Sequence, residues 1–161
     1  MKITSLIGKL NAGLGVLGGW LQPVLLLGIR LYWGWHFATT GWGKLNNLAK
    51  VTAYFGDTLH IPFPKLNAIM AGSTECGGGV LLLLGLGSRF VPIPLIVTMA
   101  VAYATAEQDA LHALWTDPDK FVSADPFLFL YATVLIFAFG PGPFSLDRLL
   151  GWDRRAGKSG A

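Results

Sequence analysis

Apolar residues in this chain gather into long runs whose ends are marked by polar residues, proline or glycine. The runs near Leu21–Gly43, Lys65–Arg89, Phe90–Ala106 and Pro126–Gly140 predict membrane-spanning helices, because about 20 residues at 1.5 Å rise cross a hydrocarbon layer of roughly 30 Å. Pro23 falls in the opening turn of the first run, and Pro92 and Pro94 open the third. Gly140-Pro141-Gly142-Pro143 stops the fourth, since proline lacks a backbone donor and does not fit a helix interior. Between the first two runs, residues 45–64 hold Val51, Tyr54, Phe55, Leu59, Ile61 and Phe63, punctuated by Pro62 and Pro64. That composition predicts a segment lying along the membrane surface. A polar loop is expected from Trp115 to Asp125.

Ahead of the first run, Ile3, Leu6, Ile7, Leu10, Leu14 and Leu17 recur at helical spacing, with Lys2, Ser5, Lys9 and Asn11 elsewhere on the wheel. This predicts an interfacial amphipathic helix over 1–19. A cleaved signal peptide is the competing reading, against which no A-x-A site follows. The long runs do not alternate with a period of two, and open sheet edges are not tolerated in lipid. The expected fold class is therefore all-α: an integral membrane four-helix bundle over 20–150, preceded by the 1–19 helix and followed by a basic, flexible cytoplasmic tail over 151–161.

Charged residues inside the runs refine this picture. Arg30, Gly34, Phe37, Gly41 and Lys44 step by four, three, four and three residues, so they form one stripe of the first helix. Glu75, Gly78, Leu82, Gly85 and Arg89 repeat the pattern in the second. In each helix the end charges stand about 21 Å apart along the axis. If the two helices are antiparallel neighbours, Glu75 comes level with Lys44 and Arg30 with Arg89, and the glycines let the backbones approach.

Composition agrees with a bilayer setting: of 161 residues 53% are hydrophobic and 13% charged, with six Trp and a mean hydropathy of +0.53, where soluble domains carry about 25% charge. The net charge is +3, but no basic stripe with interleaved aromatics points to nucleic acid. Instead, Lys2, Lys9, Arg30, Arg89, Arg148, Arg154, Arg155 and Lys158 fall on the side of the termini, against Lys44, Lys50, Lys65 and Lys120 on the other. The positive-inside bias places both termini in the cytoplasm. A single cysteine, Cys76, excludes an intramolecular disulfide or a CxxC arrangement. Three histidines without ligand spacing argue against a bis-histidine haem or a metal site, and no Walker loop, dinucleotide fingerprint, GxSxG elbow or HExxH occurs.

Four segments in order carry a family resemblance: an Arg-containing first helix running into GWGKL (41–45), HIPFPKL (60–66), ECGGGVLLLLGLGSR (75–89) and GPGPFSLDRLL (140–150). Over roughly Leu27–Leu150 the chain resembles the DoxX family of small four-helix membrane proteins. The resemblance implies a bacterial inner-membrane protein linked to redox chemistry. In such a role it serves as the membrane subunit that joins a thiol or sulfur substrate, or a soluble or membrane redox partner, to the quinone pool. Two other readings accompany it: a non-catalytic scaffold that recruits soluble redox or detoxification enzymes, and a small proton-coupled transporter. A homo-oligomer is compatible with each. The chain departs from the family pattern in having Cys76 beside Glu75, and Pro143 where a basic residue is common.

Candidate chemistry centres on Glu75 and Lys44. A carboxylate in lipid calls for a reason, because burying an ion costs several kcal/mol. The pair either relays a proton to a bound quinone or substrate, or only fixes helix register. Glu107 and Asp109 extend a relay outward or are solvated loop-edge residues. Trp33 and Phe37 face a quinone ring or pack in the core. Arg30 lies about two turns inside its helix, too deep for snorkelling alone, and is expected to bond Asp147 or to bind an anion, with Arg89 as a further structural charge. Cys76 is a redox thiol or, following Ala68 and Gly72 at four-residue spacing, part of a small-residue packing row. No cofactor is evident beyond quinone as substrate or ligand.

Overall fold

The computed structural model describes residues 2–152, with backbone only at residues 2–6 and 9. Of the tail at 151–161, residues 153–161 lie outside the described residues, as do the charges at Asp153, Arg154, Arg155 and Lys158.

Helix α1 runs unbroken from Lys2 to Asn46, with Pro23 inside it. The boundary expected at residue 19 is absent: Pro23 removes one backbone donor, but the apolar run on both sides propagates the helix through it. At 1.5 Å per residue the rod is about 67 Å long. Only its second half packs, on a buried stripe of Leu26, Arg30, Gly34, Phe37 and Gly41; Ile7, Leu10, Leu14, Leu17 and Trp20 are exposed. Helix α2 (Leu48–Ala53) leads into a π-helical turn over Tyr54–Thr58.

Helices α3 (Pro64–Leu84) and α4 (Pro92–Thr105) each open on proline, whose missing N–H is no loss in a first turn. Helix α3 ends where Gly85 turns left-handed, φ 65°. The N–H groups of Gly85 and Leu86 then close on the carbonyls of Leu82 (3.0 Å) and Leu81 (2.9 Å), a Schellman termination. Arg89 therefore lies past the helix end, outside the stripe expected for it. Short helices α5 (Gln108–His112) and α6 (Pro118–Ser123) follow. The expected loop at Trp115–Asp125 is partly helical, because Asp117 caps the N-terminus of α6 ahead of Pro118. Helix α7 (Pro126–Phe139) and a last turn, α8 (Leu146–Leu149), complete the described chain.

The four longer helices close a ring: α1 packs on α3, α3 on α4, α4 on α7, and α7 back on α1. Phe37, Leu82, Leu95, Met99 and Ile136 fill its centre, and Phe129 of α7 meets Phe37 of α1 with ring centroids 4.7 Å apart. The outer surface is apolar, and large aromatics stand exposed at both ends: Trp20, Phe90 and Trp152 at one, Trp42, Phe63 and Trp115 at the other. That is the distribution of residues that favour the two membrane–water interfaces.

Candidate functional site: the Lys44–Glu75 cavity

Glycines bring α1 and α3 together. A Cβ at Gly41 would collide with the backbone N of Cys76 and approach Gly72 O to 2.6 Å, and one at Gly79 would collide with Ala38 N. A Cβ at Gly34 would meet Gly79 O and Leu83 at 3.0 Å. Contacts descend α1 as they ascend α3, so the helices are antiparallel. The close face of α3 holds Ala68, Gly72, Glu75, Gly79 and Leu82. Gly79, one residue on from the expected Gly78, faces α1; Gly78 instead faces Leu95 of α4. A heptad step of three from Glu75 names Gly78, whereas the step of four that follows the 3.6-residue turn names Gly79.

At this contact Lys44 Nζ of α1 donates to both carboxylate oxygens of Glu75 of α3. The Glu75 side chain is 3% exposed and that of Lys44 31%, so the carboxylate is held inside while the ammonium reaches it from a wetter edge. A charge-assisted, two-oxygen contact compensates part of the desolvation that an isolated carboxylate would suffer.

Both residues line a cavity of about 760 Å³ between α1, α3, α4 and the π-helical turn. Its walls are mostly apolar, and the α4 residues on it run from Ile93 to Ala106, so it extends about 20 Å along that helix. Met70 of α3 and Val97 of α4, both on the wall, are each 56% exposed, so the cavity reaches the outer surface along these two helices. Thr40, Thr74 and Thr98 add hydroxyls, and Glu107 and Asp125 stand at the end where α4 finishes and α7 begins. The volume falls in the usual range for small-molecule sites, about 300–1,000 Å³, with the same balance of apolar walls and few polar groups.

The expected residues divide around this cavity. Phe37, Lys44, Glu75 and Glu107 line it. Trp33 does not: it packs on Phe129 with centroids 4.8 Å apart, one layer behind the wall. Cys76, a half-buried free thiol, is not on the wall either; its backbone is the surface against which Gly41 packs. Asp109 is exposed, its side chain 92% accessible and 3.9 Å from Lys120. Tyr54, Phe55, Asn67, Asp125 and Phe129 join the lining unanticipated. Of these, Tyr54 and Phe55 belong to the π-helical turn, a geometry frequent at functional sites.

Arg30 is elsewhere, buried at the opposite end of the ring. Its guanidinium donates to the carbonyls of Pro141 and Phe144, both at 2.6 Å, so it does tie α1 to the segment after α7. The expected Arg30–Asp147 bond is not formed. Asp147 accepts instead from Gly87 N (2.7 Å) and Ser88 N (2.8 Å), because the chain after Gly85 leaves its N–H groups without helical partners. Arg89 makes no ion pair among the described residues; it donates to Phe137 O at 3.3 Å.

Among the described residues two helices, α1 over Leu10–Asn46 and α3, are long and apolar enough to cross a bilayer, and with the aromatic ends and the apolar exterior they define a helical membrane protein. The sequence model of the DoxX family matches residues 25–108, and the chain belongs to that family. The matched stretch contains Arg30, Trp33, Phe37, Lys44, Glu75, Cys76, Arg89 and Glu107, and stops short of Asp147 and the GPGPFSLDRLL segment. No curated protein and no solved structure matches the chain.

Proposed function

We propose that this protein is the membrane subunit of a redox system in the bacterial inner membrane, which admits a quinone from the bilayer into the cavity beside Lys44 and Glu75. The observation that carries this reading is the cavity itself: a long apolar slot, open sideways toward lipid, with one buried carboxylate on its wall. A quinone enters from the hydrocarbon phase, so a lateral opening suits it, and the apolar α4 wall gives its isoprenoid tail a surface to lie against. Its ring carbonyls accept hydrogen bonds, and Lys44 Nζ and the Thr74 hydroxyl are donors on the wall of the slot, the Thr40 and Thr98 hydroxyls being given to carbonyls of their own helices. Reduction of a quinone consumes protons as well as electrons. Glu75 is the group positioned to hold a proton at its carboxylate, and Glu107 and Asp125 lie toward the watery end from which it is replenished. The electrons come from a soluble or membrane-bound redox partner, thiol-linked in one version.

In this reading all four long helices cross the membrane. Helices α4 and α7, about 21 Å each by rise, rely on flanking turns and interfacial aromatics to complete the span. The termini face the cytoplasm, in keeping with the positive-inside bias, and the first half of α1 carries the rod on beyond the ring at that face.

The test is purification in mild detergent with identification of what accompanies the protein. The proposal expects quinone to be extracted with the wild type and to be lost from an Ala102→Phe variant that fills the cavity while the fold is kept. Copurifying enzymes without quinone would support a scaffold in its place, and pH-gradient-driven uptake by the protein alone in proteoliposomes would support a transporter.

A further inference from the structure

Among the described residues, two arginines besides Arg30 take no part in the cavity and form no ion pair. Arg89, just past the end of α3, and Arg148, in α8, line one recess of about 260 Å³ with Gln22 and Pro23 of α1, Phe139 of α7 and Gly142. Among the described residues neither guanidinium meets a carboxylate. The nearest acid in sequence, Asp147, is spent on the N–H groups of Gly87 and Ser88, and Arg30 is held by Pro141 and Phe144. The Arg148 guanidinium makes no hydrogen bond within the described chain, and the Arg89 one makes a single long bond, 3.3 Å to Phe137 O.

The recess is thus built from four segments that meet only in the folded state, and it concentrates positive charge. It lies at the end of the ring where Trp20, Phe90 and Trp152 are exposed, 77%, 79% and 70%. Exposed tryptophans at the end of an apolar helical surface mark the level of lipid headgroups. Guanidinium groups match phosphate oxygens in shape and charge, each offering a planar fork of donors, and basic pockets between helices at this level suit anionic headgroups.

We propose that Arg89 and Arg148 form a binding site for the phosphate of an anionic phospholipid, with Gln22 as a further donor. The acyl chains lie in the hydrocarbon layer beside Phe139 and Leu26, both of which line the recess. Bound lipid then joins α1, the α3–α4 turn and the segment after α7, three parts also tied here by Arg30 and by the Asp147 carboxylate. The site is separate from the Lys44–Glu75 cavity, at the other end of the ring, and stands whether or not a quinone binds there.

The test uses the full-length protein in nanodiscs and native mass spectrometry. The wild type should retain phosphatidylglycerol or cardiolipin over phosphatidylcholine, and the Arg89→Gln/Arg148→Gln protein should lose that preference at least fivefold, with the Lys/Lys protein keeping most of it. The single variant Arg148→Gln removes no side-chain bond among the described residues, so it should reduce retention without lowering the melting temperature in lipid-free detergent, and it serves alone if the double variant fails to fold. Equal retention of anionic lipid by wild type and Arg148→Gln would overturn the proposal. So would saturable stabilisation by millimolar inorganic phosphate that anionic vesicles do not reproduce, which would make the recess a site for a soluble anion.

Discussion

Lys44 of α1 places its ammonium against both carboxylate oxygens of Glu75 of α3, at the wall of the cavity and beside a close backbone contact between the two helices. Position and pairing are linked: the ammonium reaches the acid because Gly41, one turn before Lys44, lets α1 settle onto Gly72 and Cys76.

Removing one partner alone should therefore be worse than removing both. Lys44→Met leaves a carboxylate with 3% side-chain exposure unpaired, a change that costs about 3–5 kcal/mol for fully buried pairs. About 2–3 kcal/mol is expected here, because Lys44 is partly solvated. Lys44→Met/Glu75→Leu should recover most of that loss. Thermal or denaturant unfolding in detergent, followed by tryptophan fluorescence, checks the cycle; additive losses would mean that the pair is not coupled.

The glycine contacts predict a steric phenotype. Gly41→Val and Gly79→Val insert carbon where the opposing backbone already lies, so α1 and α3 must part and Lys44 must withdraw from Glu75. A loss of at least 2–3 kcal/mol is expected, within the range for overpacking a close contact. Gly28→Ala, where an added Cβ meets nothing within 4 Å, should be neutral or slightly stabilising. Unfolding midpoints of the three variants distinguish a backbone contact from a general intolerance of change in α1.

Arg30 and Asp147 hold the same end of the ring through different acceptors and donors. Asp147→Ala should cost about 2–3 kcal/mol, since two backbone N–H groups lose a charged acceptor. The swap Arg30→Asp/Asp147→Arg should not restore stability, as it would if the two residues bonded to each other. Comparing the swap with each single variant by thermal unfolding decides the matter.

How far these features were legible varies with the kind of interaction. The α1 stripe was readable because Arg30, Gly34, Phe37, Gly41 and Lys44 all obey one helical period, and the same periodicity paired Lys44 with Glu75. The α3 stripe drifted by one residue because three- and four-residue steps from Glu75 cannot be told apart without knowing which neighbour each face meets. Arg30 was correctly read as needing a partner. The place of Asp147 after the last helix, on the same side as Arg30, suggested it as the partner, but carbonyls freed by the Gly140–Pro143 turn were the acceptors used, and backbone groups leave no trace in composition. The cavity itself was not legible: it is space between α3 and α4, and Asp125, Phe129 and the π-helical turn reach it only through tertiary packing. The unbroken run of α1 through Pro23 was hidden for the opposite reason, since a proline that usually limits a helix is here carried by helical residues on both sides.

The proposed role of the cavity is most directly tested by equilibrium titration of the purified protein with a short-chain quinone. Saturable binding to the wild type is predicted, weakened about tenfold, or about 1.4 kcal/mol, by Glu75→Gln and abolished by Ala102→Phe. Undiminished affinity in both variants, or no saturable binding to the wild type, would contradict the account.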